Sequence, residues 1–113
     1  MARSDARVPL RLGPPSAIVA GDAVLIEGAA PVPSGHPTAR FTLPVTGHVT
    51  GCLCCLPRGP VAEALLRLFQ ARARGEVAFF RAVLAIAATP AGTASIRAAL
   101  TEDVFVAARF RLT

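Results

Sequence analysis

Three cysteines stand within four positions of this sequence, and the chain contains no others. Residues 50–60 read T-G-C-L-C-C-L-P-R-G-P, which places Cys52, Cys54 and Cys55 in one short segment. Thiolates are strong ligands for Zn²⁺ and similar divalent ions, and neighbouring thiolates share one ion at small entropic cost. The spacing therefore predicts a metal site for Zn²⁺ or Co²⁺ at these three cysteines. Either all three thiolates bind the ion, or two bind it and the third receives or passes on the metal.

A closed tetrahedral site needs a fourth ligand, and the sequence offers several. His48 lies four residues before Cys52, His36 lies in a segment rich in Pro and Gly, and Glu27 ends a short apolar run. An open fourth position would suit metal transfer better than metal storage. Arg58 follows the cysteines and either stabilises a thiolate by its charge or is an exposed residue at the start of a helix. These alternatives stay open.

The composition and charge of the chain limit the class of protein to which it can belong and the partners that it can bind. The 113 residues are 53% hydrophobic and 17% charged, which predicts a single domain, residues 1–113, with a compact core. The net charge is +5, and every Lys or Arg position is arginine. The arginines are dispersed along the chain, and the sequence contains no Tyr or Trp. We therefore expect no nucleic-acid partner.

Localisation follows from the absence of long apolar runs. No stretch approaches the ~18 uninterrupted apolar residues of a membrane span, and charged residues and prolines interrupt the region of a signal sequence. We expect a cytoplasmic protein without a membrane partner. Thiols stay reduced there, which favours metal binding or redox chemistry over disulfides.

Apolar periodicity predicts alternating strands and helices. We expect a loose N-terminal arm over residues 1–15, with strand character at residues 8–12, and a loop over residues 28–39. Predicted strands are residues 17–20, 23–27, 41–43, 45–49 and 79–87, with a tight turn at residues 21–22. Predicted helices are residues 60–74 and 93–100, and a short helical turn at residues 103–110 leads to a last extended piece. This order predicts an α/β fold with a parallel sheet.

The cysteine segment resembles a known family. Gly51-Cys52-Leu53-Cys54-Cys55, with the pair Arg58-Gly59 and an amphipathic helix after it, resembles the G-C-x-C-C signature of the CobW-type P-loop GTPases. These proteins are metallochaperones and metal-insertion proteins. Residues 71–76 and 99–112 also resemble the family, so the likeness covers roughly residues 47–112. It implies a partial parallel sheet flanked by helices, as in a fragment of a P-loop GTPase domain.

The chain departs from that family where the nucleotide would bind. It has no G-x-x-x-x-G-K-[ST] motif, and it has no lysine to reach the phosphates. Ile86 stands where the family has an acidic residue at the end of a buried strand. We therefore expect a metallochaperone-related protein that binds Zn²⁺ or a similar divalent ion and has no GTPase activity of its own.

Three other functions remain open on the sequence. The chain could be a regulatory or interaction subunit that pairs with a second copy of itself or with a full-length GTPase. It could be a redox sensor that uses Cys54 or Cys55. It could also be a remnant of a larger protein without a function.

Overall fold

The structure is a computed structural model, and it describes residues 5–43 and 59–113. The strands in these ranges are β1 (Val8–Leu12), β2 (Asp22–Glu27), β3 (Thr38–Phe41), β4 (Ala82–Ile86) and β5 (Phe110–Leu112). The α-helices are α1 (Pro60–Ala73), α2 (Pro90–Glu102) and α3 (Val104–Arg109), and a 3₁₀ helix spans Pro15–Ala17.

The described strands form one sheet in the order β3-β2-β4-β1-β5, and every pair is parallel. β4 is the central strand and pairs with β2 and β1. Its residues Val83, Leu84 and Ala85 are fully buried. Strands buried on both faces read as continuous apolar runs, which is why this stretch could be recognised in the sequence. The predicted α/β class with a parallel sheet flanked by helices is confirmed.

The α-helices cover one face of the sheet. Leu10, Leu25 and Val83 point into a core shared with α1, α2 and α3, in which Leu65 and Ile96 are fully buried. The opposite face has a smaller core of four strand residues: Val24, Ile26, Leu84 and Ile86. The 3₁₀ helix and the loop that follows β2 cover this core. Successive side chains of a strand point to opposite faces of the sheet, so they pack alternately into the larger and the smaller core.

Local sequence explains where the helices begin and end. Pro60 and Pro90 occupy the first turns of α1 and α2, where a missing N–H costs nothing. After α1 the chain turns at Gly75, whose φ of 73° suits glycine. Asp103 ends α2 and also caps α3, because its carboxylate accepts from the N–H groups of Phe105 and Val106. A single residue thereby separates two helices.

The predicted arm at the N-terminus contains an interior strand. The predicted strand at residues 8–12 forms, but it lies between β4 and β5 and is tied into the sheet on both edges. Val8 and Leu10 are buried in the larger core. Over these residues the arm is therefore part of the core and is not loose. The sequence prediction missed this because long-range pairing fixes the strand, and local sequence does not reveal such pairing.

Some element boundaries also differ from the sequence predictions. Residues 17–20 are not a strand, since Pro14 and Pro15 set a 3₁₀ turn in which Ala17 and Ile18 donate back to their carbonyls. β3 begins at residue 38 instead of 41, and β4 is shorter than residues 79–87. α2 begins at residue 90 instead of 93. The predicted strand at residues 45–49 lies outside the described residues.

The helices were also compared with the length of a membrane span. Among the described residues, no helix is long and apolar enough to cross a bilayer.

Candidate functional site

The predicted metal ligands fall in the part of the chain that the structure leaves undescribed. Cys52, Cys54, Cys55 and His48 all lie in residues 44–58, as does Arg58. The described residues on either side of this segment are Leu43, which packs against the larger core after β3, and Gly59, which is the N-cap of α1. The segment thus connects a strand of the sheet with the first turn of a helix.

The first turn of α1 lines a groove of about 330 Å³ against the second half of α2. Gly59 and Pro60 lie on one wall, and Ala98, Ala99 and Glu102 lie on the other. Asp103 also lines the groove and is engaged as the cap of α3. The chain therefore re-enters the described structure, directly after the cysteine segment, beside a groove that contains carboxylates.

Glu27, one candidate for the fourth ligand, is held by the start of α2. Its Oε1 accepts hydrogen bonds from the backbone N–H groups of Ala88 (2.7 Å) and Thr89 (3.0 Å). Its Oε2 accepts from the Thr89 hydroxyl at 2.9 Å, and that hydroxyl accepts in turn from the Gly92 N–H. The positive end of the helix dipole favours a carboxylate at this place. Glu27 thus joins the carboxyl end of β2 to the N-terminus of α2.

Gly92 makes this close approach possible. A Cβ atom built at position 92 would overlap Oε1 of Glu27. The contact therefore depends on the absence of a side chain in the first turn of α2. In this structure both oxygens of Glu27 act as acceptors for the protein's own N–H and O–H groups.

His36, the second candidate, is oriented by a backbone carbonyl. Its Nδ1 lies 2.8 Å from the carbonyl oxygen of Asp22, and because that oxygen can only accept, Nδ1 carries the hydrogen. The neutral ring then has its lone pair on Nε2. Metal-binding histidines are commonly oriented by such a carbonyl. His36 is half-buried, so this nitrogen could serve a metal.

A buried ion pair fixes the turn between β1 and β2. Asp22 is only 3% exposed, and its carboxylate lies 2.8 Å from Nη2 of Arg11 and accepts from the N–H of Val19. Burial by itself would raise the pKa of Asp22, but the hydrogen bonds from Arg11 and Val19 outweigh it, so the pKa lies below its ordinary value. The Arg11 guanidinium also donates to the Ala17 carbonyl. Through these contacts the pair holds the residues between β1 and β2 in place.

The described residues were searched for clusters of metal ligands. Within residues 5–43 and 59–113, no three His, Cys, Asp or Glu side chains lie close enough together to hold an ion. In this part of the chain, therefore, neither Glu27 nor His36 belongs to a group of three potential metal ligands.

The fold assembles an arginine and phenylalanine cluster that the sequence order conceals. The guanidinium of Arg72 lies 4.0 Å from the ring centre of Phe79, 5.1 Å from that of Phe80 and 5.7 Å from that of Phe69. Arg109 lies 5.5 Å from the ring centre of Phe69. Cation–π contacts of this kind are attractive, most of all when partly desolvated. Two arginines and three phenylalanines from three segments of the chain thus form one cluster.

Comparison with known proteins adds no further assignment. No family model, no curated protein and no solved structure matches the chain.

Proposed function

We propose that this chain binds Zn²⁺ or a similar divalent ion through Cys52, Cys54 and Cys55, as a CobW-like metallochaperone-related protein without its own GTPase activity. The observation that carries the proposal is the placement of three cysteines within four positions. Only a few residue types bind zinc tightly, and thiolate is one of the strongest. The G-C-x-C-C signature supports the same function.

The N-terminus of α1 favours negatively charged metal ligands, such as thiolates, in the residues that precede it. α1 begins at Pro60, and its N-cap residue, Gly59, has no side chain to cap the first turn. The N–H groups at the start of a helix and the helix dipole make this end positive, which favours thiolate over thiol nearby. The parallel sheet with flanking helices is compatible with a fragment of a P-loop GTPase domain.

The residues that follow β1 argue against nucleotide binding. A phosphate-binding loop uses successive backbone N–H groups, but Pro14 and Pro15 have none. Arg11, the nearest cation, is paired with Asp22. The chain also has no lysine to reach the phosphates. A calorimetric titration with Mg-GTP should show no binding, and a micromolar affinity would contradict this part of the proposal.

Metal binding is tested on anaerobically purified, reduced protein. We expect about one Zn²⁺ per chain, and Co²⁺ substitution should give thiolate-to-metal charge-transfer absorption. The matched control is the double variant Cys52→Ser/Cys54→Ser, which should lose both signals. The metallochaperone proposal fails if the reduced wild type takes up no zinc in competition with a mild chelator. Fast reaction of Cys54 or Cys55 with peroxide would then favour the redox sensor.

A second candidate function is that of an interaction subunit, and exposed apolar side chains favour it. Phe79 is 69% exposed and Val104 is 75% exposed. β3 and β5 each have one edge that no other described strand covers. Light scattering at high micromolar concentration tests pairing with a second copy. A monomer with a cooperative melt would count against self-association.

A further inference from the structure

A groove lies between α1 and α3. It has a volume of about 300 Å³, and we call it the Phe69 groove. Its lining residues are Leu66, Phe69, Gln70, Ala73, Phe105 and Arg109. The Phe69 ring is held edge-on against the fully buried Phe110, with 5.9 Å between ring centres. The groove is therefore apolar, rests on a rigid core contact and has no acidic lining residue.

Two arginines flank the apolar floor of this groove. Arg72 and Arg109 both approach the Phe69 ring, at 5.7 and 5.5 Å from its centre. Among the described residues, no carboxylate lies within 4.0 Å of either guanidinium. The Nε of Arg72 is buried and has no hydrogen-bond partner. Burial also lowers the pKa of Arg72, because the charge has lost water without gaining a counter-charge.

From this geometry we infer that the Phe69 groove docks an acidic amphipathic helix of another protein. An apolar side chain of that helix occupies the groove, and carboxylates on either side of it pair with Arg72 and Arg109. Helix-in-groove recognition needs this combination of an apolar slot and complementary charge at its rim. The exposed Phe79 extends the apolar contact beside Arg72.

Charge decides between this occupant and a second copy of the chain. The protein has a net charge of +5, and this face presents Arg72 and Arg109, so a symmetric pair would place arginine against arginine. An acidic partner removes that repulsion and supplies counter-charges to both guanidinium groups. Arg109 already donates to the carbonyl oxygen of Phe105 at 3.0 Å, so for this residue the partner adds a charge and not a first acceptor. The inference does not depend on the cysteine segment, so it stands or falls separately from zinc binding.

The probe is a fluorescein-labelled synthetic helix with leucines at i, i+3, i+4 and i+7 and glutamates on both flanks. Its control has the same leucines with lysines in place of the glutamates. We expect anisotropy to report binding of the acidic peptide only, and the affinity should fall as salt rises. Arg72→Gln and Arg109→Gln should each weaken binding by about tenfold, as expected for the loss of one charge-assisted hydrogen bond.

Two control variants keep the test decisive. Arg97→Gln changes an exposed arginine on α2, away from the groove, and should leave the affinity unchanged. Leu66→Glu should abolish binding while the thermal melt confirms folding. The inference is overturned if the acidic peptide does not bind, if Arg97→Gln weakens binding as much as Arg109→Gln, or if the basic peptide binds equally well. Tighter binding of a thymidine oligonucleotide, lost in the same groove variants, would assign the surface to nucleic acid instead.

Discussion

The carboxylate of Glu27, at the end of β2, accepts hydrogen bonds from both the backbone N–H and the hydroxyl of Thr89, the N-cap of α2. Capping groups normally come from the residues next to a helix. Here a residue of a distant strand completes the cap and fixes the helix to the sheet.

Removing this carboxylate should destabilise the protein. Glu27→Ala leaves the N–H groups of Ala88 and Thr89 without their acceptor, and we expect a loss of about 1.5 kcal/mol in the free energy of unfolding. Glu27→Gln keeps one acceptor oxygen and should lose less. Urea denaturation measures both, with the exposed Glu76→Gln as control. Equal stability of Glu27→Ala and wild type would show that solvent replaces the contact fully.

Gly92→Ala should destabilise the protein only while Glu27 is present. The added Cβ overlaps Oε1 of Glu27 and forces the carboxylate out of its site. In a Glu27→Ala background the overlap disappears, and the better helix propensity of alanine remains. A double-mutant cycle should therefore give a coupling energy of about 1 kcal/mol or more. Additive effects would mean that the two residues do not share the space.

Asp22 should make the stability pH-dependent in acid. Its pKa in the folded state lies below the value of about 3.9 in the unfolded chain, so its contribution is complete above that value. The contribution is lost as the pH falls through the lower folded pKa, since protonation ends the pairing with Arg11. Asp22→Asn should flatten the dependence below about pH 4 and cost about 2 kcal/mol at pH 7.

The measurement for Asp22 is a set of urea denaturation curves between neutral and strongly acidic pH. Glu76→Gln is the comparison, because Glu76 is exposed and lies 3.8 Å from the exposed Arg74, where such a pair stabilises little. A steeper acid dependence in Asp22→Asn than in wild type would reverse the sign and refute the assignment.

Zinc affinity should respond differently to the candidates for the fourth ligand. Glu27→Gln should leave it unchanged, because both carboxylate oxygens are already hydrogen-bonded to α2 and its cap. His48→Ala and His36→Ala weaken zinc binding only where that imidazole ligates. Affinity should also fall as the pH falls, since thiolates must form before zinc binds. Competition with a chromogenic chelator measures each variant, and a large loss in Glu27→Gln would make this carboxylate a ligand.

The sequence predicted those parts of the fold that local chemistry determines. Pro60 and Gly75 bracket α1, and the apolar run around Leu84 identifies the central strand. The prediction of a strand at residues 17–20 was wrong because it gave apolar composition more weight than the backbone restriction of Pro14 and Pro15.

Features made by long-range contacts could not be predicted. Glu27 was recognised as a polar residue after a strand, but its role depends on α2, which follows far along the chain. The contacts of Arg72 with Phe79 and Phe80 form only when the chain turns back after α1. The cysteines, by contrast, attract attention by spacing alone, and their proposed role stays a prediction.

The position of β1 has a consequence for how the protein is made. β1 pairs with two strands from much later in the chain, since Leu10 lies opposite Val83 and Val8 lies opposite Phe110. A sheet closed by such distant contacts forms slowly, because the chain must first lose the entropy of a long loop. Val8 and Leu10 therefore stay without their strand partners until β4 and β5 have been synthesised, so β1 is expected to join the sheet late.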